Sequence, residues 1–326
     1  MKFNEDTVEL ATIDWLREIG YHYIHGCTIA PGEPATERTT YNDVLLVGRL
    51  RHALMFFKKL IRRIGCKGRM HPAPTNEIVF SPHLKVNLHE RINEHIPRVV
   101  RADVVDETIR RIQRTPSQNP VVNNHAFHRL LTEGVDVSYR DDGQIRHDKV
   151  WLVDFDRLEN NEFLAVNQFT VTDVNHKTRA KTNRRPDVML FVNGLPLVII
   201  ELKNAADEKA TIRTAFNQLQ TYKDDIGSLF TYNGLLVVSD GVEAQLGTLT
   251  AGHEWFKPWR TVDGDRLDPH STQLETLIKG AFAPRFLLDI LRYFIVFEQG
   301  ESKLLKKVAA YHQYHAVNKA IEKTVV

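Results

Sequence analysis

Cysteine is scarce. Cys27 and Cys66 are the only two in the 326-residue sequence. They lie far apart and form no CxxC pair, which argues against a disulfide framework or a cysteine zinc site and fits a reducing cytoplasm. Long apolar runs are missing too. The best, "LPLVII", has the length of a strand rather than a membrane span, and the opening "MKFNEDTVEL" lacks the apolar core of a secretion signal. Neither sign of charge is in excess. The formal net charge is +2 at pH 7, so any surface for nucleic acid must be local. No GxxxxGK[ST] phosphate loop occurs, which excludes the usual route of ATP hydrolysis within this chain. Repeats and low-complexity tracts are likewise absent. What is present is ordinary: 42% hydrophobic and 26% charged residues, with enough chain for one large or two modest domains.

Helical spacing of Val8, Ala11, Trp15 and Ile19 predicts an opening helix that Gly20 ends. "YNDVLLVGRLRHALMFFKKLIRRIG" predicts a second helical region, whose Lys58, Lys59, Arg62 and Arg63 read as a solvated charged side. The proline-bearing stretch up to Pro97 reads as a long loop or insertion with one short strand, "EIVF". "RADVVDETIRRIQR" and "NNHAFHRLLTEGV" predict two more helices, the latter closed by Gly134. The pattern then changes. "KVWLVDF", "EFLAVNQFTVTDV", "PDVMLFV", "LPLVIIEL" and "GLLVVSD" are strand candidates, and "ATIRTAFNQLQTYKDDI" is an amphipathic helix between the last two. The expected fold is α/β, with a central mixed sheet flanked by helices. Beyond Asp268 the chain reads as helical through Val326, so a boundary is expected there, dividing 1–268 from 269–326.

The stretch "RRPDVMLFVNGLPLVIIELKN" carries charges at the ends of two apolar strands. Asp187 starts one, Gly194 and Pro196 mark the turn region, and Glu201 and Lys203 close the other. Strand side chains alternate faces, so Glu201 and Lys203 point the same way and Leu202 the other. A hairpin can bring Asp187 beside Glu201. Charges at buried strand ends are costly unless paired or bound to a metal. Two carboxylates with the Leu202 carbonyl suit Mg²⁺, and Lys203 could orient an attacking water or stabilise charge on a phosphate. The plainer alternative is a strand-end ion pair between Glu201 and Lys203. Other Asp/Glu-x-Lys matches, at Asp207/Lys209 and Glu301/Lys303, sit in polar surroundings that read as helical. Gln218 and Tyr222, four apart, share a helix face that can pack back across the sheet. Glu9, among apolar neighbours on the opening helix, could also reach this place.

Together "RRPDVMLFVNGLPLVIIELKN" and "QLQTY" resemble the PD-(D/E)xK nuclease superfamily, and specifically the N-terminal nuclease region of type I restriction enzyme R subunits. "YNDVLLVGRL", "NNHAFHRLLTEGV", "ENNEFLAVNQFTV" and "FKPWRTVDG" carry the same likeness in the same order. The resemblance implies a restriction-endonuclease-like core over 1–268. Within it, Asp187 and Glu201 are implied as metal ligands, Lys203 as catalytic, and Gln218, Tyr222 and Glu9 as accessory. The segment near 53–88 is longer than the family pattern. "KKVAAYHQYHAVNKAIEKTV" resembles the start of an ATP-driven translocase, in which Gln313 would read adenine. The chain thus reads as a fragment that stops before the phosphate loop. ATP would belong to the full-length subunit only.

The implied activity is Mg²⁺-dependent hydrolysis of duplex DNA, in a complex with methylation and specificity subunits and with the missing motor domains of the same polypeptide. Arg184 and Arg185, just ahead of Asp187, are candidates for sequence-independent phosphate contacts. Lys257 and Arg260 could contact DNA or the missing motor; the plainer alternative is surface cations beside two buried residues, Trp255 and Trp259. The rival reading is a non-catalytic DNA-binding or docking module with a nuclease-like fold. No role at a membrane is expected.

Overall fold

The computed structural model describes residues 5–55, 102–141, 143–203, 211–300 and 303–324. Most of the expected insertion near 53–88, the "EIVF" strand, Cys66 and the basic residues from Lys58 to Arg63 lie outside them.

Helix α1 (Glu5–Glu18) opens the chain. Its inward face is Val8, Glu9, Thr12, Ile13 and Leu16, rotated from the expected stripe; Ala11, Trp15 and Ile19 are only half-buried. The rotation turns Glu9 toward the sheet. Strand β1 (His22–His25) follows. The second helix begins later than expected, and its described part, α2, spans 47–55. Helix α3 (Ala102–Gln113) and helix α4 (Pro120–Glu133) come next. Asn119 caps α4 at one end and Gly134, at φ 82°, at the other.

A β-ribbon of β2 (Val135–Asp141) and β3 (Gln144–Val150) follows α4. The expected strand "KVWLVDF" is therefore cut short: β3 ends at Val150 and residues 151–155 are irregular. The run "EFLAVNQFTVTDV" is also broken. β4 (Phe163–Asn167) and β5 (Val171–Val174) belong to different sheets, because Gln168 adopts φ 54° and turns the chain. β5 pairs with β6 (Lys181–Arg184) as a separate hairpin.

Strands β7 (Val188–Val192) and β8 (Leu195–Leu202) are buried throughout, as their unbroken apolar text requires. Asn193 (φ 52°) and Gly194 (φ 79°) form the two-residue turn between them, the left-handed pair that matches strand twist. Pro196 lies inside β8 rather than in the turn. It is tolerated because β9 first pairs with β8 at Val198 and because the β7–β8 register slips by one residue at this point.

Helix α5 (Ile212–Asp225) starts with a capping box at Thr211 and Thr214. The short α6 (Gly227–Phe230), β9 (Leu235–Ser239) and β10 (Ala244–Gly247) follow. The central sheet has the order β1-β4-β7-β8-β9-β10. β1–β4 and β8–β9 are parallel and the other pairs antiparallel, so the sheet is mixed, as expected, and helices flank it.

Beyond Asp268 the chain is not helical throughout. Helix α7 (Gln273–Ala281) and helix α8 (Pro284–Tyr293) lead into an antiparallel hairpin of β11 (Ile295–Gln299) and β12 (Leu304–Val308), before helix α9 (Tyr311–Thr324). Lys303, expected on a helix, stands in the turn of that hairpin. α7 rests on α1: Lys279 pairs with Glu18 at 2.9 Å, and the Tyr21 hydroxyl donates to the Phe282 carbonyl at 2.9 Å.

Candidate active site

One end of the sheet gathers the polar residues. The C-terminal ends of β4, β8 and β9 and the N-terminal end of β7 meet there, because β7 is antiparallel to its neighbours and β9 parallel to β8. Val188 pairs with Ile200, so the next step places Asp187 opposite Glu201. Asp187 Oδ2 accepts the Leu202 backbone N–H at 2.7 Å. Lys203 lies on the Glu201 face, as alternation demands. Its Nζ donates to Glu201 Oε1 at 2.9 Å and to the Leu202 carbonyl at 2.8 Å. Its backbone N–H donates to Ser239 O at 2.8 Å, extending the parallel ladder past the strand.

The ion pair of the plainer reading is therefore present, yet it leaves a remainder. Glu201 is fully buried, and its Oε2 accepts no hydrogen bond from any donor among the described residues. Burial, and the nearby Asp187 charge, push the Glu201 carboxyl well above the usual range, with Lys203 opposing. A buried, orphaned carboxylate oxygen beside a second carboxylate is what a cation would satisfy. Among the described residues no group of three or more His, Cys, Asp or Glu could hold a metal. The donors here are two carboxylates and one carbonyl, a set that fits Mg²⁺, which keeps several waters, better than a cage-bound ion.

Gln218 and Tyr222 sit on the α5 face that meets this place. Gln218 Nε2 donates to the Tyr222 hydroxyl at 2.6 Å, and that hydroxyl donates to the Arg185 carbonyl at 3.4 Å. Burial and the charge of Glu201 raise the Tyr222 phenol, which keeps it a neutral donor. The structure thus brings Asp187, Glu201, Lys203, Gln218 and Tyr222 together.

Glu9 stands one layer back. Its Oε1 accepts from Asn167 Nδ2 and its Oε2 from Gln168 Nε2, both at 2.6 Å, while the Gln168 N–H donates to the Asp187 carbonyl at 3.0 Å. Asn167 and Gln168 were not singled out in the sequence. The signal was a polar pair inside the apolar run "FLAVNQFTV".

The other candidates are not part of this cluster, although the Arg185 backbone borders it through Tyr222. Arg184 Nε is committed to Asp225 Oδ2 at 2.6 Å, so it braces a helix end. Arg185 is exposed. Gln313 is exposed on α9 and its Oε1 accepts the Ala310 N–H at 2.9 Å. Lys257 stands over the Trp255 ring at 5.9 Å. Trp259 is buried as expected, but Trp255 is 68% exposed. No helix among the described residues is long and apolar enough to cross a membrane.

The family profile described as type I restriction enzyme R protein N terminus matches residues 2–255. The chain is 34% identical over 326 residues to the type I restriction enzyme HindI endonuclease subunit of Haemophilus influenzae, covering 99% of this chain and 27% of that protein. It is 30% identical over 181 residues to the type I restriction enzyme EcoprrI endonuclease subunit of Escherichia coli, covering 51% of each. The chain thus spans about a quarter of the first relative and about half of the second. With the matched region enclosing Asp187, Glu201, Lys203, Gln218 and Tyr222, this chain belongs to the type I restriction enzyme R protein N-terminal family.

Proposed function

We propose that this chain is the DNA-cutting part of a type I restriction R subunit, hydrolysing phosphodiester bonds of duplex DNA in the cytoplasm with Mg²⁺. The observation that carries the reading is the buried Glu201 Oε2, without a donor among the described residues, beside Asp187 and Lys203. A docking module has no use for that arrangement, because an unsatisfied buried carboxylate is destabilising.

Asp187, Glu201 and the Leu202 carbonyl are the groups that would hold Mg²⁺, which supplies Lewis acidity and neutralises charge on the phosphodiester when bound. The chain's own residues do the rest. Lys203 is a cation held at the site with 15% of its side chain exposed, so its ammonium can meet a non-bridging phosphate oxygen as charge builds there. Water oxygen adds to phosphorus, the phosphorus–ester oxygen bond breaks, one water proton passes to solvent and the departing sugar oxygen takes one from solvent, leaving a phosphate monoester and an alcohol. Gln218 and Tyr222 fix the Lys203 side of the site and are not ligands. Glu9 acts through Asn167 and Gln168 on the backbone of Asp187. Nuclease and motor are separate in this reading, with a division near Asp268, and Gln313 reads adenine in the ATP-driven motor of the full-length subunit. Methylation and specificity subunits choose the DNA sequence.

The test is cutting by the full-length subunit in its assembled complex, with Mg²⁺ binding to the 326-residue chain followed by calorimetry. Asp187→Ala and Glu201→Ala should each abolish cutting and calorimetric binding while the chain stays folded. A fully active Asp187→Ala complex would remove this site from the reaction.

A further inference from the structure

Between Val171 and Arg185 the β5–β6 hairpin carries Lys177, Arg179, Lys181, Arg184 and Arg185 against the single acid Asp173. The hairpin runs straight into Asp187, with only Arg185 and Pro186 between. Its charges divide into two groups. Lys177 pairs with Asp224 and Arg184 with Asp225, both at 2.6 Å. Arg179, Lys181 and Arg185 are exposed, and their side chains have no ion pair or hydrogen bond among the described residues.

The first group fastens the hairpin to the end of α5. Asp225 also accepts from Asn175 Nδ2 at 2.5 Å and, through its carbonyl, from Thr182 Oγ1 at 2.5 Å. The His176 N–H donates to the Asp224 carbonyl at 3.0 Å, and Asp173 Oδ2 accepts from the Ser228 N–H at 2.9 Å. α5 is the helix that brings Gln218 and Tyr222 to the candidate active site, so the hairpin and that site form one rigid unit. Thr182 and Arg184 point to Asp225, which leaves Lys181 and Asn183 on the outer face by alternation. At the tip, Arg179 has φ 61°. Glycine suits that conformation best, yet a long cation occupies it.

We infer that the β5–β6 hairpin is an arm for the backbone of duplex DNA, in which Arg179, Lys181 and Arg185 hold phosphates beside the scissile bond while Lys177 and Arg184 only brace the arm. The inference rests on the nuclease reading of the site and names how the substrate is held there. Charge complementarity and position argue for it. Arg185 is about 7 Å of extended chain from Asp187 and Lys181 about 20 Å. Measured along the duplex axis, that span covers roughly six phosphates of one strand, at about 3.4 Å each. Long exposed cations on a rigid frame suit contacts that carry no sequence information. This divides the expected pair: Arg185 faces DNA and Arg184 does not.

The experiment follows binding of a short labelled duplex to the 326-residue chain in EDTA by fluorescence anisotropy across a salt series. Arg179→Gln/Lys181→Gln/Arg185→Gln should lower the slope of log affinity against log salt by about 2 to 3, and weaken low-salt binding at least about tenfold, since each phosphate contact contributes a slope of about 0.9. Arg179→Lys/Arg185→Lys should keep the wild-type slope. Both variants should unfold at the wild-type temperature, because the side chains are exposed. Equal slopes and affinities for wild type and the triple variant would overturn the arm, as would absence of salt-dependent binding by the wild-type chain. So would a triple variant that loses binding to polyglutamate, a stand-in for an acidic protein surface, but keeps the duplex. Failure of the nuclease reading shows separately, as cutting by the full-length complex that survives Glu201→Gln.

Discussion

Glu201→Gln should stabilise the metal-free chain at neutral pH while abolishing DNA cutting. Glu201 is fully buried, its Oε1 is held by Lys203 at 2.9 Å, and its Oε2 has no donor among the described residues. Glutamine keeps the shape. Its carbonyl can still accept from Lys203, and its amide N–H₂ can donate toward Asp187 where an oxygen now faces a like charge. An unsatisfied buried polar atom costs about 1–3 kcal/mol, and the substitution should recover a similar amount. In a chain of this size each kcal/mol is worth about 1–2 °C in Tm.

The pH dependence follows from the direction of the shift. Burial and Asp187 raise the folded Glu201 carboxyl, so the folded chain retains a proton that the unfolded chain has already released. Wild-type stability is therefore full below the unfolded value near pH 4.3 and falls as pH rises through the folded value. The glutamine variant should lack that fall. Urea unfolding in EDTA between about pH 4 and pH 8 measures both curves. Saturating Mg²⁺ should then raise the wild type alone, by the usual ligand linkage. A variant less stable than wild type near neutral pH in EDTA, or one with the same pH slope, would refute the reasoning.

Lys203→Ala should stop cutting by the full-length complex and spare its ATP turnover; loss of both would mean that the two activities are not separable as proposed. Tyr222→Phe and Gln218→Ala should slow cutting without changing calorimetric Mg²⁺ affinity, because neither is a ligand in this reading. Gly194→Ala places a Cβ 2.4 Å from the Leu46 carbonyl at φ 79°, and urea unfolding should show a loss of about 2–4 kcal/mol from left-handed strain and overpacking. Lys306 is 2% exposed, and burial lowers its ammonium to about 7, so wild-type stability should rise between about pH 7 and the unfolded value near 10.4. Lys306→Met should remove that rise and be the more stable protein at about pH 6, which thermal unfolding at two pH values decides.

What the sequence determined by itself was whatever a local period encodes. "PDVMLFV" and "LPLVIIEL" are read as buried strands from their composition, Glu201 and Lys203 share a face because strands alternate, and Gln218 and Tyr222 share one because helices repeat. The motifs around them carried the family. What pairs with what was decided elsewhere. The two-residue turn alone would set Asp187 against Ile200; the register slip beyond Phe191 and Pro196 moves it opposite Glu201, and that slip belongs to two strands jointly. The break at Gln168 likewise depends on Glu9, more than 150 residues away, which receives its amide. The β11–β12 hairpin was missed because "FEQGESKLLKKV" looks like solvated helix. Lys306 within it is buried, with its Nζ 2.6 Å from the Asn233 carbonyl and near the Phe297 ring. A charged residue is placed inside only by partners that folding brings to it, and no local pattern announces them.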